Sequence, residues 1–73
     1  MTEQKTISDL ITLVMKECKK GNYDSAIIYL NEAIEIEPNN IFAYRLRACA
    51  KSKSGDIEGA YEDDKKADKL KSM

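Results

Sequence analysis

An all-α fold of two stacked helix–turn–helix units is what this sequence of 73 residues predicts. Three observations carry the prediction. The first is an internal period of 34 residues that relates Gly21 to Gly55, Ala26 to Ala60 and Ala33 to Ala67. Gly21-Asn22-Tyr23-Asp24 is answered at the same offset by Gly55-Asp56-Ile57-Glu58, and a fixed period of this length marks an array of stacked helical hairpins. The second is apolar spacing of three and four residues between those markers, the period of an amphipathic helix. The third is punctuation, with Gly21, Pro38 and Gly55 standing where helices must end. The length allows one small domain. Residues 7–73 form it, as repeats 7–40 and 41–73, behind a flexible N-terminus over residues 1–6.

The first helix is predicted from about Ile7 to Lys20. Thr6 caps it, with Asp9 as the reciprocal capping-box acid, and Leu10, Leu13, Val14 and Glu17 share one face. Gly21 gives the left-handed stop. The second helix runs from about Tyr23 to Glu37, with Tyr23, Ala26, Ile27, Leu30, Ala33 and Ile34 as its apolar stripe. Pro38 ends it, because it lacks an amide donor and disfavours a helical residue before it. The third runs from about Ile41 to Ser54, capped by Asn39 or Asn40, with Tyr44, Arg47, Ala48 and Lys51 on the face matching that of the first. The fourth follows Asp56 and reaches about Lys71. Its acids (Glu58, Glu62, Asp63, Asp64) precede its lysines (Lys65, Lys66, Lys69, Lys71), the order that suits a helix dipole.

Taken together, Gly21-Asn22-Tyr23-Asp24-Ser25-Ala26 with Ala33 through Asn40, and Ala43-Tyr44 through Gly55 to Ala67, resemble the tetratricopeptide repeat family over about residues 7–72. The resemblance implies antiparallel helix pairs, right-handed superhelical stacking and a concave groove lined by the first helix of each pair. The chain departs from the pattern in having no tryptophan, Val14 in place of a small residue, and Asp64 and Asp68 in place of apolar ones.

Comparison of the two repeats suggests finished ends. Ala43 and Ala50 suit a packed neighbour, whereas their counterparts Asp9 and Lys16 suit water. Leu30 and Ile34 face the next repeat, whereas their counterparts Asp64 and Asp68 would be costly to bury unpartnered. Polar outer faces are what terminal repeats require. Two repeats fall short of the three usually needed for stability, which points either to sufficient local packing or to self-association.

Family geometry places Ile11, Thr12, Met15, Cys18 and Lys19 of the first helix on the groove, with Phe42, Arg45, Leu46, Cys49, Ser52 and Lys53 of the third. Ile11, Met15, Phe42, Leu46 and Cys49 then form an apolar surface that faces water, the mark of an interaction site. The third helix carries Arg45, Arg47, Lys51 and Lys53 and no acid, while the second carries Asp24, Glu32, Glu35 and Glu37 and no base. Mutual support between these two helices at the surface accounts for Arg47 and Lys51. Arg45 and Lys53 are candidates to hold an acidic peptide or a carboxylate terminus. Ile11, Met15 and Leu46 stand where chaperone-binding relatives of the family carry their carboxylate clamp, so a chaperone-tail ligand is not expected. Ile28 and Tyr29 lie off the main stripe and read as incidental surface hydrophobes.

Other function classes are disfavoured. There is no histidine to act as base for Cys18 or Cys49, no phosphate-cradling glycine loop, and the carboxylates are placed on solvated helix faces. Two thiols without histidine do not complete a zinc site; they read as free cysteines. The net charge of −1 gives no pull toward nucleic acid or membrane. No apolar run is of spanning length, and residues 1–6 lack a leader pattern. The expectation is a cytoplasmic, non-catalytic adaptor without cofactor, binding another protein's peptide or helix through Ile11, Met15, Phe42, Arg45, Leu46, Cys49 and Lys53. The alternative is a self-assembling module whose groove face forms a homo-oligomer interface.

Overall fold

The computed structural model describes residues 5–73. Four helices follow one another: α1 (Ile7–Lys19), α2 (Tyr23–Ile36), α3 (Ile41–Ser54) and α4 (Ile57–Lys71). Each packs on its neighbours in chain order, α1 on α2, α2 on α3 and α3 on α4. The chain forms a plate of 37 × 30 × 14 Å. Its thinnest dimension matches two helix layers, whose axes pack about 8–10 Å apart. The fold is the all-α stack of two helical hairpins that the period predicts.

Local chemistry sets each boundary. Thr6 Oγ1 accepts from the Asp9 amide at 3.1 Å and Asp9 Oδ2 accepts from the Thr6 amide at 3.2 Å, the reciprocal capping box. The remainder of the tail expected over residues 1–6 lies outside the described residues, except Lys5, whose ammonium sits 5.9 Å from the Tyr29 ring centroid. Gly21 and Gly55 take φ of 81° and 101°, a region that a Cβ disfavours and glycine enters freely. Asn22 makes no side-chain cap to α2. Its amide donates instead to Glu17 Oε1 at 3.1 Å, which explains how an acid sits on the inward stripe of α1. Glu37 is extended ahead of Pro38 and ends α2 one residue sooner than expected. Of the two candidate caps for α3, Asn40 is the one used, its Oδ1 accepting from the Ala43 amide at 2.9 Å. Asp56 Oδ1 does the same for α4 from the Gly59 amide at 2.9 Å.

The main core belongs to the first three helices. Leu10 and Val14 of α1, Ala26, Leu30 and Ala33 of α2, and Ala43 and Ala50 of α3 form one buried cluster. Ile7, Ile11, Cys18, Tyr23, Ile27, Tyr29, Ile34 and Leu46 pack around it. Small residues let the helices approach closely, and Ala43 and Ala50 seat α3 on the first hairpin as their contrast with Asp9 and Lys16 suggests. Leu13, expected on the inward face, is only half-buried.

Helix α4 is attached differently. It packs closely along α3, with Ala60 and Ala67 of α4 and Ala48 and Tyr44 of α3 buried, and it buries Asp63 to 4% exposure. Arg47 donates to both oxygens of Asp63, Nε to Oδ2 at 2.8 Å and Nη2 to Oδ1 at 2.7 Å. Lys51 Nζ adds a third contact to Oδ2 at 3.1 Å. The reading of the carboxylates as solvated therefore fails at Asp63. The reading of Arg47 and Lys51 as partners of the α2 acids also fails, because both turn to α4. From α2, Arg47 takes only the neutral Asn31 Oδ1, at 2.9 Å. The physical reason is desolvation: a carboxylate this deep needs charge-assisted donors on both oxygens, and the fork of an arginine supplies them.

Candidate binding surface

The predicted groove residues divide into two groups. Met15 and Phe42 are 54% and 55% exposed, and Cys49 and Lys53 are also exposed. Ile11 and Leu46 are half-buried and pack against the core cluster. The water-facing apolar surface is accordingly smaller than the sequence suggests. Met15 and Phe42 are its exposed apolar members, while Ile11 and Leu46 are drawn against the core.

Arg45 is exposed but engaged. Its Nη2 donates to Asp68 Oδ1 at 3.0 Å, and Nη1 lies 3.8 Å from Asp64 Oδ1. The two aspartates that replace apolar residues at the end of the array are exposed, as expected, and Arg45 serves them. An acidic ligand would have to displace Asp68 to use this guanidinium. Lys53 takes part in none of the ion pairs among the described residues, so it is the cation that Arg45 is not.

The thiols differ in environment. Cys18 is half-buried beside the core, and Cys49 is exposed. Burial raises the Cys18 pKa above the ordinary thiol value, and the proximity of Cys49 adds to the rise. Cys18 is thereby held as the thiol. Among the described residues no group of three or more histidine, cysteine or acidic side chains is arranged to hold a metal ion. No helix among them is long and apolar enough to cross a membrane.

In the Asp63 network, burial pushes the carboxyl pKa up, while hydrogen bonds and charge from Arg47 and Lys51 more than reverse this, so Asp63 titrates below the usual aspartate value. The Arg47 pKa rises, chiefly through its hydrogen bonds to Asp63. Sequence reasoning missed this network, yet the repeat offset holds its signal. Thirty-four residues before Arg47, Lys51 and Asp63 stand Leu13, Glu17 and Tyr29. Three changes from one register to the other, all made together, are what an exchange of packing for paired charge looks like.

A second surface was missed as well. The outer face of the second hairpin was expected to be polar, but Ile57 and Tyr61 are 63% and 66% exposed there. With Ala48, Ala60, Cys49 and Asp64 they line an open cleft of about 430 Å³. Tyr61 stands 34 residues after Ile27, which is half-buried, whereas Tyr61 is exposed. Compared with models of known protein families, the chain matches none.

Proposed function

We propose that this protein is a non-catalytic interaction module of the tetratricopeptide type, binding a peptide or helix of another protein across the faces of α1 and α3. The observation that carries the reading is the exposure of Met15 on α1 and Phe42 on α3, helices whose Ile11 and Leu46 are half-buried against the core. An exposed apolar group on a helix packed against a core gains binding energy with little reorganisation, and methionine adapts to varied partners. Lys53 offers the available charge for an acidic residue of the ligand, while Arg45 is committed to Asp68. The cytoplasm remains part of this proposal. The test is Met15→Asp combined with Phe42→Asp, two exposed sites whose change leaves the core intact. Loss of partner recovery in affinity capture, with unchanged circular dichroism, supports the reading. Undiminished recovery removes this face from the account.

Self-assembly is the second reading, favoured by the same exposure in a chain with a small core. Light scattering over a dilution series separates the two. A monomer at high concentration excludes it.

A further inference from the structure

The molecule contains one cleft twice. The first copy, between α1 and α2, is filled by α3, which seats Ala43 and Ala50, both essentially fully buried, against the core. The second copy, between α3 and α4, is open. Corresponding residues show the difference directly. Tyr23 and Ile27 of the filled cleft are half-buried, whereas Ile57 and Tyr61 at the same places in the open cleft are exposed. The floors match, with Ala26 and Ala60 both buried. From this correspondence we infer that the open cleft is a seat for one α-helix supplied by another protein, a site centred on Ile57 and Tyr61 that is bordered by Lys53 but not by Met15 or Phe42.

The chemistry of that helix follows from what the filled cleft accepts. It needs small side chains two turns apart, as Ala43 and Ala50 are on α3. One turn after the first of them, α3 carries Arg47, which donates to Asn31 of α2. Thirty-four residues after Asn31, α4 has Lys65, exposed and with its ammonium 5.7 Å from the Tyr61 ring centroid, so the incoming helix should carry an acid facing it. Asp64 lines the cleft, and an acid there suits the positive end of a helix dipole. A second copy of this chain has no free helix that meets these terms. Its α1 places Asp9 and Lys16 where the small residues belong and Leu13 where the acid belongs; its α4 has Ala60, Asp64 and Ala67 at the required spacing, but Ala60 and Ala67 are already buried within the chain.

The probe is a synthetic peptide with the sequence of residues 39–55 of this chain, carrying Arg47→Glu. It is stapled between positions 45 and 49, which are exposed on α3 and point away from the contact. The staple removes helix nucleation as a limit. Fluorescence anisotropy of the labelled peptide, titrated with the full chain, is expected to show saturable binding. Ile57→Asp with Tyr61→Asp in the protein should weaken it about tenfold or more, the effect of losing buried apolar contacts. Leucine at both peptide positions 43 and 50 should weaken it similarly. Lys65→Glu in the protein should reverse the preference toward a peptide that keeps Arg47. Met15→Asp should change nothing, which separates this site from the face proposed above. Absence of saturation at millimolar protein, or equal binding by the Ile57 and Tyr61 variant, overturns the inference. So does sedimentation showing that the chain alone forms a dimer abolished by that variant, because the occupant would then be a second copy.

Discussion

Replacing Asp63 by alanine should be the most damaging single change to the second hairpin. The carboxylate is 4% exposed and receives contacts at 2.7, 2.8 and 3.1 Å from two cations. Removing one member of a buried charge cluster costs about 3–5 kcal/mol, because the remaining charges stay desolvated and unpaired. Arg47 and Lys51 keep 19% and 21% of their side chains in water, so both can be partly rehydrated and the lower end, about 3 kcal/mol, applies. A chain of this length has about 4–11 kcal/mol in total, so the variant loses about a quarter of its stability or more. Urea titration followed by circular dichroism measures this directly. With a slope near 1 kcal/mol per molar urea for a small domain, the midpoint should fall by about 3 M. Hydrogen exchange should show the amides of Ile57–Lys71 opening first. Arg45→Ala provides the contrast. Its contacts to Asp68 and Asp64 are exposed and should be worth under about 1 kcal/mol. If Asp63→Ala costs no more than Arg45→Ala, the network does not hold α4 and the reasoning fails.

Two further outcomes follow, one from Asp63 and one from the thiols. Because Asp63 titrates below the ordinary aspartate value in the folded chain, the folded state binds fewer protons than the unfolded one as pH falls through the acid range. Its contribution is complete above the unfolded pKa of about 3.9 and disappears as pH drops through the folded value; the wild type should therefore lose stability below about pH 4 more steeply than Asp63→Asn, and parallel slopes in acid titrations would contradict this. The raised pKa and half-burial of Cys18 against the exposure of Cys49 predict ordered alkylation. Iodoacetamide at neutral pH should label Cys49 first by peptide mass spectrometry, and equal rates would contradict the placement.

The helices and their ends are legible in the sequence because their causes are local. Thr6 with Asp9, Gly21, Asn40, Gly55 and Pro38 act on backbone within a few residues, and each acts as read. The first three helices' core is legible too, since Leu10, Val14, Ala26, Leu30 and Ala33 follow helical spacing. Asp63 is not, because an acid within an acidic run has no one-dimensional sign of burial. Its burial depends on Arg47 and Lys51, 16 and 12 residues away, converging from another helix. The candidate surface is legible at Met15 and Phe42 and overstated at Ile11 and Leu46. A helical wheel separates the inward from the outward face but does not resolve the flanks, where a branched side chain folds back onto the core. Arg45 was legible as a surface cation, but its pairing with Asp68 again crosses helices.

The two hairpins thus solve one packing problem by different chemistry, and the difference bears on where binding is felt. In the first hairpin Leu30 belongs to the apolar core, with Ile34 and Tyr29 packed against it; the second has Asp64, Asp68 and Asp63 at those positions. Apolar contacts tolerate small displacements, while a bidentate arginine pair requires a fixed geometry. Helix α4 packs closely on α3, and Arg47 and Lys51 add directional contacts that fix its orientation there. The cleft bearing Ile57 and Tyr61 lies on that same helix. A ligand helix covering those two side chains would add the apolar burial that α4 lacks, so occupancy should be felt as added protection of Ile57–Lys71. Binding at the Met15 and Phe42 face involves helices already secured by the main core, and should leave α4 unchanged. Exchange protection along α4 consequently distinguishes the two surfaces without knowledge of either ligand's identity.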